Sequence, residues 1–415
     1  MEEKPWETEN WFVSLYNFLP EVRRKFKLPE KVIFHDITLR DGEQQAGIVF
    51  RKDEKLRIAR MLDEIGVPRI EAGMPSVSKE DAEAVKAIAN EGLSAEVFAF
   101  SRCMKEDVDN ALACDVDGVI MEIPSSDHLI KYGYGWTVEK AIDLSVEATS
   151  YAHEHGLYVA FFTIDSTRAR FETFWNIVDS VAKEGWMDSY VLVDTFGVCT
   201  PEAISYLVGE VKKRTHKPIE VHLHNDFGLA VANSIAGLMA GAEVVHTTVN
   251  GIGERSGNAA LEEVAATLEI LYGVRTGIKF DKLRKLSKLV EEASKVPVPP
   301  QKPIVGSITF TTESGIIAGW WDKASAANKP LEVFPLNPNF LGVDGVKIGL
   351  GKKSGRANII YRLKELRLQI PPEEKIVKIL EKVKVTSEEK KRLLTDDEFI
   401  AIVKSIISKL NRQKG

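Results

Sequence analysis

The chain has 415 residues, 44% of them hydrophobic and 28% charged, with a formal net charge of −6, three cysteines and eight histidines, the last of which is His246. That length exceeds the roughly 250–300 residues at which a single core stops growing, so one large domain with a smaller appendage is expected. The acidic balance excludes an obligate nucleic-acid or membrane-surface binder, which needs a basic excess to meet phosphate, and three cysteines without a CxxC pair exclude a disulfide framework.

The N-terminus, MEEKPWETENW, opens with acids and a proline in place of a basic patch and an apolar stretch, and no apolar run reaches ~18 residues. A cytoplasmic protein that meets no membrane is expected. Residues 1–30, with Trp6, Trp11, Phe12 and Tyr16, read as an N-terminal extension that plugs one end of the main domain or packs on a partner. From Val32 onward, short β-branched runs alternate with longer helical patterns, the beat of βα units. Strands are predicted at 32–39, 69–73, 95–100, 118–123, 158–164, 189–194, 219–224 and 244–250. The helix after the first strand, KDEKLRIARMLDEIG, places Leu56, Ala59, Met61 and Leu62 at helical spacing with charges opposite. Eight such pairs are the count of an α/β fold of the (β/α)8 TIM-barrel type, assigned to residues 31–275. An open doubly wound sheet would show a Gly-rich phosphate turn after its first strand, where this chain has RDGEQQAG. Residues 276–303, containing DKLRKLSKLVEEASK and PVPPQKP, read as a helix and a proline-rich linker. Residues 304–415 form a smaller, mostly helical C-terminal region: irregular and Gly-rich over 304–370, with two or three short helices over 373–412.

In a barrel of this kind the carboxyl ends of the strands face the active site. The first strand ends in Arg40-Asp41-Gly42-Glu43, a guanidinium among carboxylates. The sixth ends in Asp194-Thr195, whose hydroxyl suits a substrate carboxylate or a simple turn. The seventh carries His222 and His224, two apart on a strand and so on one side of it, followed by Asn225. Two imidazoles with the carboxylate of Asp41 make a mixed N/O set for Zn, Mn, Co or Mg, and spacing does not choose among them. The eighth ends in NGIGERSGN, where Asn258 offers a fourth oxygen ligand or, alternatively, a helix cap, and Glu254 a further carboxylate.

In order along the chain, TLRDGEQ, EAG-P, F-RC, DT-G--TPE, HLHNDFGLAVANS and NGIGERSGNAALEEV resemble the DRE-TIM metallolyase superfamily, and within it the 2-isopropylmalate and homocitrate synthases. GSITFTTESGIIAG and GLGKKSGRANI extend the resemblance less faithfully towards the C-terminus. The resemblance implies a metal-dependent condensation of an acyl-CoA enolate with a 2-oxo acid, with acyl-CoA as co-substrate. It implies Asp41, His222, His224 and Asn258 as ligands of a divalent metal, Arg40 at the developing oxyanion and Thr195 on the 2-oxo acid carboxylate. Arg40, Glu43, Asp165 and Glu254 are the candidate catalytic residues, and Arg40, Glu71, Thr195 and Asn225 the candidates for holding substrate. A homodimer with an exchanged C-terminal region is expected on the same grounds, and a tail of the short homocitrate type predicts no separate leucine-sensing domain.

Two departures matter. Condensing relatives carry a glutamate in an F-S-x-E-D segment on the fifth strand, and FTID sets Asp165 there, one methylene shorter. The relatives' C-terminal histidines are also gone. Thr312 and Ile317 stand in the first segment and Lys353 in the second, so the acid–base work implied for a histidine from a partner subunit falls to another group, with Lys353 and Glu313 as candidates. Two further readings compete with the synthase. One is a C–C lyase or aldolase, although the lyases' GGCPYA-like cysteine loop is absent. The other is a non-catalytic metal-binding relative, which has no need of five polar groups at one barrel mouth.

Overall fold

The computed structural model describes residues 4–408. Residues 14–298 form one compact unit, and residues 4–13 with 299–408 form a second. The first unit is a closed barrel of eight parallel strands in chain order: β1 (Ile33–Asp36), β2 (Arg69–Glu71), β3 (Glu96–Arg102), β4 (Gly118–Pro124), β5 (Tyr158–Ile164), β6 (Ser189–Asp194), β7 (Ile219–Leu223) and β8 (Val244–Thr247). β8 closes against β1 with His35 opposite His246. Each predicted strand is present, and the first and last are shorter than predicted. Beyond Asp36 the backbone turns, with the Thr38 amide donating to the Asp36 carboxylate (3.0 Å) and the Arg40 amide to Ile37 O.

The pleat sorts the strand residues. Phe98, Phe100, Ile120, Ala160, Phe162, Val191 and Val193 pack together in the lumen. Alternation places Glu122 beyond Ile120, and His222 opposite Val193, on that same inner face. Outside, helix Lys52–Ile65 buries Ile58, Ala59, Met61, Leu62 and Ile65. The expected stripe is thereby corrected: Leu56 is only half-buried, while Lys55 is buried, because its ammonium meets Glu43 at 2.7 Å and also pairs with Asp81.

In the second unit a short parallel pair, β9 (Thr311–Thr312) and β10 (Lys347–Ile348), accompanies helices Gly315–Ala326, Arg356–Glu365, Glu373–Lys390 and Asp396–Ser408. Leu350, Ile359, Leu363, Ile376, Ile379, Val383, Phe399 and Val403 form its core. The helices predicted over 373–412 are two, and positions 409–412 lie outside the described residues. The N-terminal aromatics divide between the two units, with Tyr16 in the barrel unit. Trp11 belongs to the second unit, where it meets Phe340 edge-on (5.7 Å) and the Phe12 amide donates to Pro335 O (2.9 Å). Among the described residues no helix is long and apolar enough to cross a membrane.

Candidate metal centre

β7 points His222 into the lumen, and His224 follows just past the strand end. Their Nε2 atoms lie 3.2 Å apart, and Asp41 Oδ2 lies 3.5 Å from the first and 3.9 Å from the second. Ligands about 2.1 Å from one ion are at most about 4.2 Å apart, and about 3.0–3.4 Å apart along octahedral or tetrahedral edges. The three atoms therefore fit a single cation. Asn258 is drawn in by a bridge to His224. Its Nδ2 donates to Asp41 Oδ1 (2.8 Å) and to Ile252 O (3.3 Å), which turns Oδ1, buried and without a hydrogen bond, into a free oxygen donor. It caps no helix, since the next one starts at Leu261 with Ala260 at its N-cap. Gly253 lets this loop close: at φ 145° it lies so near that a Cβ there would meet Asn258 Nδ2 at 2.2 Å and Asp41 Oδ1 at 3.0 Å. Burial, and then the neighbouring His224 and Arg40, push the pKa of His222 well below its ordinary value; burial also lowers His224. Both shifts favour the neutral ring, the form in which imidazole binds metal.

Arg40 stands beside this set. Nη1 donates to Asp41 (2.8 Å) and Gln44 (3.0 Å), Nε donates to Glu71, and the guanidinium lies over Phe100 (4.2 Å) and Phe162 (5.9 Å). Its buried Nη2 has no partner, so one charged donor is left for an incoming oxygen. Below lies a layer that sequence reasoning missed. His246 Nδ1 is 3.4 Å from His222 Nδ1, its Nε2 is 2.8 Å from Glu220, and its ring stacks on His35 at 4.5 Å. Ser189 and Arg69 also donate to Glu220. The signal was available in the alternation Glu220, His222, His224, which puts all three on one face of the strand.

These buried carboxylates set an acid limit on the fold. Burial alone would raise Glu71, but the Arg40 charge and the His35 contact bring its pKa to about 2; Glu220 is likewise brought to about 2, by His246, His35 and Arg69. Both lie below the ordinary 4.5, so the stability they supply is present above about pH 4.5 and is lost as pH falls towards 2. Urea midpoints measured across that interval are expected to drop steadily with acid, and a level profile would contradict the assignment.

The other predicted residues divide. Glu71 joins Arg40. Thr195 is buried, with its hydroxyl accepting from the Asp165 amide (2.7 Å). Asn225 accepts from the Ala230 amide (3.1 Å) at the start of the helix after β7. Glu43 accepts from the Phe50 amide (2.7 Å) and pairs with Lys55, which ties down the loop after β1. Glu254 is exposed, 3.6 Å from Arg255. Asp165 departs most from expectation. It follows β5 at φ 61°, and its carboxylate accepts from Ser126 (2.6 Å) and Arg168 (2.7 and 3.0 Å) and pairs with His128 (2.7 Å). Among the described residues no hydrogen bond or ion pair joins it to Arg40, Asp41 or the two histidines. In the second unit, Glu313 accepts from the Lys353 amide (2.6 Å), and Ile317 lies on helix Gly315–Ala326.

The HMGL-like family profile matches residues 31–290. The homocitrate synthase of Methanopyrus kandleri is 42% identical over 94% of this chain and 96% of its own. A probable 2-isopropylmalate synthase of Ignicoccus hospitalis is 44% identical over 93% and 95%. Among solved structures, the HMG-CoA lyase of Bacillus subtilis superposes with a TM-score of 0.60 at 21% identity, covering 66% of this chain and 96% of that one, a likeness of fold. A donor set converging at the mouth of an eight-stranded barrel, a profile match over the whole barrel and near full-length relatives above 40% identity lead to one conclusion: the chain belongs to the HMGL-like family, on the branch that includes the homocitrate and 2-isopropylmalate synthases.

Proposed function

We propose that the protein is an acyl-CoA:2-oxo acid acyltransferase that condenses an acetyl-CoA-like thioester with a 2-oxo acid, using a divalent metal. One observation carries the reading: Asp41, His222, His224 and the free Oδ1 of Asn258 converge beside the unpartnered Nη2 of Arg40. A divalent cation held by these four supplies a Lewis acid for the 2-oxo acid's oxygens. The chain's own residues do the rest. Arg40, fixed by Glu71, Asp41 and two aromatic faces, presents a preorganised positive donor to oxygen charge that grows in the transition state. The Thr195 hydroxyl, whose oxygen already accepts from Asp165, has its proton free to donate to a substrate carboxylate. Near full-length relatives named as synthases support the direction of the reaction.

The test is release of free thiol from acetyl-CoA, with Mn2+ or Zn2+ present, across a panel of 2-oxo acids that includes pyruvate. Turnover with at least one panel member is expected. No thiol from any of them, together with 2-oxo acid released from 2-hydroxy diacids, would replace the synthase reading by a C–C lyase.

A further inference from the structure

The condensation needs a group that removes a proton from the methyl carbon of the thioester, and several carboxylates near the barrel mouth are already held by other groups. Asp41 belongs to the metal donors. Glu71 is held by Arg40, and Glu220 by His246, Ser189 and Arg69. Asp194 accepts from Thr167 and from the amides of Val198 and Cys199. Asp165, another candidate catalytic residue, is occupied by Ser126, His128 and Arg168.

Glu122 is different. It lies one pleat beyond Ile120 on β4, on the lumen face, in register with Phe162 of β5, one of the two rings beneath the Arg40 guanidinium. Its register partner on β3, Arg102, sends its guanidinium to Asp107 and leaves Glu122 without an ion pair. Among the described residues only Tyr134 donates to its carboxylate, through its hydroxyl at 3.0 Å. Glu122 is half-buried and Tyr134 is 36% exposed, so the pair is reachable from solvent near the carboxyl end of β4.

We propose that Glu122 is the catalytic base of the condensation, the acid–base role for which the sequence offered Lys353 and Glu313. The proposal rests on the synthase reading above. The Glu122 carboxylate takes the proton as the C–H bond of the methyl group breaks, and the electron pair passes into the enolate. The enolate carbon then bonds to the carbonyl carbon of the 2-oxo acid, whose π pair moves to oxygen beside Arg40. The proton held by Glu122 passes through solvent to the alkoxide oxygen, and addition of water to the thioester carbonyl with cleavage of the C–S bond gives the carboxylate, the free thiol and a proton to solvent. Burial pushes the Glu122 carboxyl above its usual range, against the Tyr134 hydrogen bond and the Arg40 charge, which makes it a stronger base than a solvated carboxylate.

Full-length enzyme loaded with Mn2+ decides the matter. Glu122→Gln is expected to lower kcat about 10²- to 10⁴-fold, with the KM for the 2-oxo acid, the bound Mn2+ and the Tm near wild type. Glu122→Asp is expected to recover part of the rate. Arg40, Arg102, Asp107, Cys103 and Tyr134 are the ionisable groups that bear on Glu122. The acid limb of the wild-type kcat profile should vanish in Glu122→Gln and move to higher pH in Tyr134→Phe, which removes a hydrogen bond that favours the charged carboxylate. Should Glu122→Gln fail to fold, a Tyr134→Phe profile identical to wild type overturns the proposal. An active wild type with Glu122→Gln within about threefold of it overturns Glu122 alone. A wild type that releases no thiol with any 2-oxo acid overturns the synthase reading and this proposal with it.

Discussion

Changing both His222 and His224 to alanine is expected to take the purified protein from about one divalent ion per chain to none, and to lower turnover at least about a thousandfold. The magnitude follows from the several kcal/mol that a polarising cation contributes at a carbonyl oxygen, at about 1.4 kcal/mol per factor of ten. The two rings supply half of the donors, with Nε2 atoms 3.2 Å apart. Asp41 and Asn258 alone would leave the ion with two oxygens and water. Elemental analysis with activity measured on the same preparations checks this, and circular dichroism confirms that the barrel persists. Retention of stoichiometric metal in the double variant would place the site elsewhere.

The second large effect concerns stability. Glu71→Ala leaves the Arg40 guanidinium buried with Asp41 as the one carboxylate still in ion-pair contact among the described residues, and loss of one partner from a buried pair costs about 3–5 kcal/mol. The urea midpoint should fall accordingly. Replacing both members, as in Arg40→Met with Glu71→Leu, removes the unpaired charge along with the pair, so stability should return towards wild type while turnover stays lost. A double variant as unstable as Glu71→Ala would show that the pair holds the barrel together through contacts other than charge.

Most of the architecture was legible in the sequence because the barrel repeats a simple rule, a β-branched run followed by a longer amphipathic one, and because four strand ends carry polar groups that a core would exclude. What escaped detection depended on direction. Asp165 has the right chemistry one step beyond its strand, but a left-handed backbone at that residue turns its carboxylate to Ser126 and Arg168. Glu122 sits within GVIMEI, where a single acid in an apolar run gives no sign of facing the lumen until the register with Phe162 is known. Lys55 looks like part of a solvated helix face, and only the folded loops bring Glu43 and Asp81 to its ammonium. Strand period and helix period are local properties. The partner of a charged side chain is set by segments tens of residues away.

The contact between Asn258 and Asp41 spans 217 residues, and β8 must pair with β1 before it can form. Closing so long a loop is entropically costly and is recovered only when the last ladder zips. A growing chain that has made seven strands carries His222 and His224 but not the closing strand or Asn258. A cation held by all four donors would favour the closed barrel over the open one by mass action, and so would add to the stability of the seam between the first and last strands.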